Sequence, residues 1–156
     1  MCMPGTALSR YINIYTDFAF EKVFGTEANK DLLISFLNQL MGLNGDSEIT
    51  DVTYLNPEQL GDNINERRAV YDVYCSTGNG EHFIVEMQNG WQKHFGDRAI
   101  VYMGRAAGQS VKRGDNMYED VKGVYSLNIV AYNMPEFKGN KDFFWRVYLK
   151  DDRNKI

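Results

Sequence analysis

Asp72 and Glu86 are the residues of this chain whose types and spacing suggest chemistry. Each lies in a run rich in Val, Ile, Tyr and Phe: Val70-Tyr71-Asp72-Val73-Tyr74-Cys75 and Glu81-His82-Phe83-Ile84-Val85-Glu86-Met87-Gln88, separated by Ser76-Thr77-Gly78-Asn79-Gly80. Two such runs around a cluster of turn residues predict a β-hairpin. Side chains alternate along a strand, so Asp72 shares a face with Val70 and Tyr74, opposite to Tyr71, Val73 and Cys75. Glu86 shares a face with Ile84 and Gln88, opposite to Phe83, Val85 and Met87. A turn centred on Asn79 sets Asp72 across from Glu86, with Cβ atoms about 4.5–5.5 Å apart. Two carboxylates that close repel each other. A hard divalent cation with oxygen ligands, magnesium or manganese, would neutralise them. A one-residue slip in register would undo the pairing. Acidic residues also occur on solvent-facing strands with no role at all, and spacing alone does not separate the two readings. The apolar neighbours, Tyr-Asp-Val and Val-Glu-Met, speak for a role, because a charge there is costly unless paired.

The elements that must position this pair can be read on either side of it. After an arm, Thr16 or Asp17 reads as an N-cap, followed by an aromatic helix through Phe18, Phe20, Val23 and Phe24 that stops at Gly25. Leu33, Phe36, Leu37, Leu40 and Met41 recur at helical spacing, which predicts a second helix over about 28–42. Ile49 to Leu55 alternates and ends at Asn56-Pro57, the expected first strand, and a polar segment from Glu58 to Glu66 has loop composition. Beyond the hairpin, Phe95, Ala99, Tyr102, Met103, Ala106, Ala107 and Ser110 form an apolar, small-residue stripe within a helix over 91–113. Arg98, Tyr102 and Arg105 share one flank of it. That flank reads either as a solvated face or as an edge for phosphate groups, which Arg suits. Val124 to Tyr132 is a fourth strand, and Phe143 to Tyr148 either a fifth or an aromatic packing segment. The order is helix, strand, strand, strand, helix, strand, an α/β layer.

The totals set limits. The chain has 156 residues, 44% apolar and 24% charged, enough for one domain with a sizeable core. Its net charge of −4 provides no global basic field, so a nucleic-acid partner would need a local basic patch or a bound metal. Two cysteines and two histidines show no zinc spacing or disulfide framework. No run approaches a membrane span and no signal peptide is visible, so a cytoplasmic protein without a membrane partner is expected.

Several blocks together resemble the PD-(D/E)XK nuclease family transposases, the recombination-promoting nucleases. They are Thr16-Asp17-Phe18-Ala19-Phe20-Glu21-Lys22-Val23-Phe24-Gly25, Asn29 with Leu32-Leu33-Ile34-Ser35-Phe36-Leu37-Asn38, and Tyr54-Leu55-Asn56-Pro57. Tyr71-Asp72-Val73-Tyr74-Cys75, Phe83-Ile84-Val85-Glu86-Met87-Gln88 and Asp97-Arg98-Ala99 follow in the same order. The resemblance implies a restriction-endonuclease-like core of order αβββαβ, a mixed central sheet flanked by helices. It implies metal-dependent cleavage of DNA phosphodiesters, with Mg²⁺ or Mn²⁺ as cofactor. By position, Asp72 matches the strand aspartate, and Glu86 and Gln88 match the E-x-K element, with Gln in place of Lys. Asp17 sits where an acidic residue of the first helix would complete the site, and Glu21 stands where Lys is more usual.

On this reading Asp72 and Glu86 hold the metal with the Met87 carbonyl, Gln88 positions water or phosphate without supplying charge, and Arg98, Tyr102 and Arg105 hold DNA. The expected organisation is an arm over 1–14, a nuclease-like domain over 15–133, and an extension over 134–156 cut from a longer chain. That missing region, or a second copy of the chain, would be a further partner. The alternative is a non-catalytic module that keeps the nuclease fold and binds DNA or protein.

Overall fold

The structure is a computed structural model that describes residues 12–59, 69–111 and 122–148. Most of the expected N-terminal arm and residues 60–68, 112–121 and 149–156 fall outside the described residues.

Helix α1 (Asp17–Phe24) begins where extended Thr16 uses its hydroxyl to accept the Ala19 N–H, and it ends at Gly25. One 3₁₀ turn over Glu27–Asn29 leads into α2 (Lys30–Met41), which stops at Gly42 in the left-handed region, φ 70°. Leu33 and Leu37, one turn apart, are fully buried, as the helical spacing requires.

The strands follow as β1 (Val52–Tyr54), β2 (Glu58–Gln59), β3 (Ala69–Val70), β4 (Val73–Thr77) and β5 (His82–Gln88), then α3 (Phe95–Ser110) and β6 (Val124–Val130). Four strands form one sheet in the order β1-β4-β5-β6, and β2 and β3 make a separate two-stranded pair. All pairings are antiparallel except β5 with β6, which α3 connects as a parallel crossover. The protein is thus α/β, a mixed sheet flanked by helices, and α1 with β1, β4, β5, α3 and β6 reproduces the order αβββαβ.

The hairpin register is the expected one. Val73 faces Val85, Tyr74 faces Ile84, Cys75 faces Phe83 and Ser76 faces His82, so the turn is centred on Asn79. Gly80, at φ 83°, donates its N–H to the Thr77 carbonyl at 2.9 Å. The left-handed conformation closes a three-residue hairpin loop and calls for glycine.

Two cores result. On one face Phe20, Leu33 and Leu37 pack on Val73, Cys75 and Val85. On the other, Tyr71, Tyr74 and Ile84 pack on Ala106 of α3, with Tyr102 beside them.

The structure departs from the sequence reading in several places. The first strand spans Val52–Tyr54 and not Ile49 to Leu55, because Ile49 is already engaged. Buried Asn38 donates to its carbonyl at 2.8 Å and accepts its N–H at 2.9 Å. The polar segment from Glu58 opens with β2. The first arm of the hairpin is broken at Tyr71 and Asp72, between β3 and β4. The Tyr71 N–H donates to the Pro57 carbonyl at 3.0 Å, and its ring turns to Tyr74 at 5.2 Å and Tyr102 at 5.1 Å. Tyr71 therefore leaves the face of Val73 and Cys75 on which strict alternation places it. Helix α3 starts at Phe95, four residues later than Trp91, after His94 in the left-handed region. Phe143 to Tyr148 forms no strand. Trp145 stacks on Phe137 with ring centroids 4.3 Å apart, and Arg146 donates to the Met41 carbonyl at 3.1 Å.

Candidate active site

The break between β3 and β4 shapes the site. In the antiparallel ladder, alternate residues of β5 turn N–H and C=O toward β4, and Val85 and Met87 belong to that set. If β4 extended two pairs further, Asp72 would meet Glu86 and Tyr71 would meet Met87. Its N–H goes to Pro57 instead, and the Asp72 carboxylate takes up the Met87 N–H, Oδ2 to N at 2.7 Å. By the alternation of the ladder the Met87 carbonyl turns toward the same gap, and among the described residues no β4 residue pairs with Met87.

Glu86, next along β5 and on the α3 face with Ile84, is only 8% exposed. Its Oε1 is buried and has no hydrogen-bond partner. Burial, and next the Asp72 charge, push the Glu86 carboxyl up to about 8. Asp72 is also raised, first by burial, against the pull of the Met87 N–H, with Asp17 and Glu21 adding to the rise. The side chains of Asp17 and Glu21 are exposed, one turn apart on α1, at the rim of the pair. Their charges reach Asp72, and that of Asp17 reaches Glu86 as well.

The opposing charge is Arg98, in the first turn of α3, which lowers both carboxyls. Its Nη2 donates to Gln88 Oε1 at 2.8 Å and its Nη1 to Gln92 Oε1, while the Phe95 and Tyr102 rings flank the guanidinium. Gln88 Nε2 donates to the Gly90 carbonyl at 2.8 Å. The fold thus brings together Asp72, Glu86, Met87, Gln88 and Arg98, with Asp17 at the rim. Tyr102 is half-buried, with its ring against Tyr71, and the Arg105 charge is felt at Tyr71.

Among the described residues no three His, Cys, Asp or Glu side chains gather closely enough to hold a metal ion. Two carboxylates and a carbonyl remain, a donor set that suits magnesium, which keeps several waters and takes one or two carboxylates beside substrate phosphates. The buried, unpartnered Glu86 Oε1 fits such an ion, since an orphaned buried acceptor is costly without one. Among the described residues no helix is long and apolar enough to cross a membrane.

A protein-family model described as PD-(D/E)XK nuclease family transposase matches residues 14–156. The chain belongs to that family. Membership supports a function of the nuclease or transposase type, and PD-(D/E)XK nucleases typically use divalent metals. The four-stranded mixed sheet with helices on both faces agrees with a PD-(D/E)XK core. No curated protein and no solved structure matches the chain.

Gln92 was missed from sequence. It belongs to the irregular residues between β5 and α3, where no periodicity links a side chain to a partner.

Proposed function

We propose that this protein is a Mg²⁺- or Mn²⁺-dependent endonuclease that hydrolyses DNA phosphodiester bonds, acting in recombination or on mobile elements. The observation that carries the proposal is the buried, unpartnered Glu86 Oε1 beside Asp72. Asp72, Glu86 and the Met87 carbonyl would hold the cation. Bound there, it supplies positive charge to the scissile phosphate and acidifies a water. Asp72 keeps its orientation through the Met87 N–H. Burial holds the Glu86 carboxyl up at about 8, and a cation held beside it would favour its carboxylate form. Asp17, at the rim, orients a water or a second cation. Tyr102 and Arg105 place the α3 side of the site against the DNA backbone.

A second reading, a binding module without catalysis, is favoured by neutral Gln88 at the E-x-K position and by the net charge of −4. Nicking of supercoiled plasmid separates the two. Wild type is expected to nick with magnesium or manganese and not with EDTA, and Glu86→Ala is expected to abolish nicking. A folded wild type that binds plasmid and cuts nothing under either metal would establish the binding module.

A further inference from the structure

Gln88 leaves the E-x-K element without a positive charge, yet the site is not without one. The Arg98 guanidinium is fixed on several sides. Gln88 Oε1 accepts from Nη2 at 2.8 Å, Gln92 Oε1 accepts from Nη1, and the Phe95 and Tyr102 ring centroids lie 5.3 and 5.8 Å from Cζ. The Gln88 amide is itself anchored, because Nε2 donates to the Gly90 carbonyl at 2.8 Å. A surface arginine that only grips the backbone of a passing duplex needs no such cradle, and its long side chain would lose rotamer freedom in it. The charge so held is felt by Asp72 and Glu86 alike, and Gln88, which accepts from it, stands two residues beyond Glu86 on the same face of β5.

We propose that Arg98 is the fixed positive charge of this site, directed at the scissile phosphate, and that Gln88 is the positioning residue that holds it there. The assignment rests on the nuclease reading and deepens it. A guanidinium has five N–H donors in a planar fork, so bonds to two amides leave the fork able to meet phosphate oxygens. As a water that gives its proton to solvent bonds through oxygen to phosphorus, and the ester P–O bond breaks with its electron pair on the departing sugar oxygen, which takes a proton from solvent, negative charge builds on the phosphate oxygens. The Arg98 charge is already in place, and a preorganised donor of this kind costs nothing to rearrange during reaction. Gln88 then acts through Arg98, with its own amide anchored to the main chain.

The test compares single-turnover cleavage of a DNA duplex in magnesium with equilibrium binding of the same duplex in EDTA, using the full chain. Arg98→Gln should slow cleavage ~10²–10³-fold while leaving affinity and its salt dependence nearly unchanged. Arg98→Lys, which keeps the charge and loses the fork, should retain more activity than Arg98→Gln and guards against a folding defect. Gln88→Ala should slow cleavage roughly tenfold. Gln88→Lys placed in the Arg98→Gln background should restore part of the rate. NMR of ¹⁵N-labelled arginine gives a readout independent of activity. The Arg98 Nη signals should show hindered rotation in wild type and lose it in Gln88→Ala. Affinity that falls in step with the rate, with the log–log salt slope reduced by about one, would make Arg98 a backbone contact and overturn the assignment. So would cleavage that survives Arg98→Gln, or freely rotating Nη groups in wild type. Failure of folded wild type to cut at all would instead remove the nuclease reading, and this assignment with it.

Discussion

The Met87 N–H donates to Asp72 Oδ2 at 2.7 Å, at the position in the ladder where a backbone carbonyl of β4 would otherwise stand. A carboxylate has replaced a strand residue. The replacement follows from Tyr71, whose N–H is drawn off to Pro57 and whose ring is drawn into the α3 core. Asp72 thereby gains a structural bond without leaving Glu86, so its role in the fold can be separated from its charge.

Asp72→Asn makes that separation. An asparagine can still accept the Met87 N–H while removing a negative charge beside Glu86, so the fold should persist. In EDTA at about pH 8.5, where Glu86 is ionised, the variant should melt a few degrees above wild type, since ~1 kcal/mol of relieved repulsion shifts Tm by ~2–4 °C in a chain of this length. The stabilisation that magnesium confers on wild type should largely vanish. Thermal melts with and without magnesium check both. An Asp72→Asn protein that unfolds would mark Asp72 as structural and end the metal-site reading.

The Glu86 carboxyl stands at about 8 in the fold against 4.5 ordinarily. Between those values the folded protein holds a proton that the unfolded chain has released. Metal-free stability is therefore highest below about pH 4.5 as far as this group is concerned, and it falls as pH rises to about 8, at up to roughly 1.4 kcal/mol per pH unit. Asp72, also raised, acts in the same direction. Burial lowers the His82 pKa from 6.5, so His82 destabilises only on the acid side, and measurements above about pH 7 avoid it. In EDTA the urea midpoint of wild type should fall from about pH 7 to about pH 8.5, and that of Glu86→Gln should stay nearly level. A flat wild-type profile would place Glu86 in a wetter setting than its burial indicates.

The Asp72–Glu86 opposition was legible in the sequence because Gly78-Asn79-Gly80 sets a turn whose centre fixes the register. The helix stop at Gly25 was legible because glycine ends helices for local reasons. The break at Tyr71 was not, since Val-Tyr-Asp-Val reads as unbroken strand and its cause, the Pro57 carbonyl, is tertiary. Helical spacing showed that Arg98, Tyr102 and Arg105 share a flank, but it does not say how far that flank turns inward. Docking of α3 on the sheet settled that, bringing Arg98 to Gln88 and the Tyr102 ring to Tyr71.

Asn38 carries a prediction about the fold alone. Its amide satisfies both backbone groups of Ile49 inside the core. Asn38→Ala would leave a buried N–H and a buried C=O without that partner, at about 1–3 kcal/mol each. Stability from denaturant unfolding should fall by roughly 2–5 kcal/mol, with any cleavage activity retained at temperatures where the protein is folded. A loss under about 1 kcal/mol would mean that the Ile49 groups find water or other partners.

Glu21 tests whether the rim of the site matters electrostatically. It is exposed, one turn beyond Asp17 on α1, and its charge raises the Asp72 carboxyl. Glu21→Lys replaces a negative charge by a positive one beside the carboxylate pair. It should ease the repulsion among Asp17, Asp72 and Glu86 in the free protein and oppose an incoming cation. Magnesium affinity, followed by calorimetry, should weaken several-fold at low salt, and the effect should shrink toward physiological ionic strength, because an exposed charge is screened over about 8 Å. Metal affinity unchanged at low salt would confine the working electrostatics of the site to Asp72, Glu86 and Arg98, and leave α1 as a scaffold for the aromatic core through Phe20.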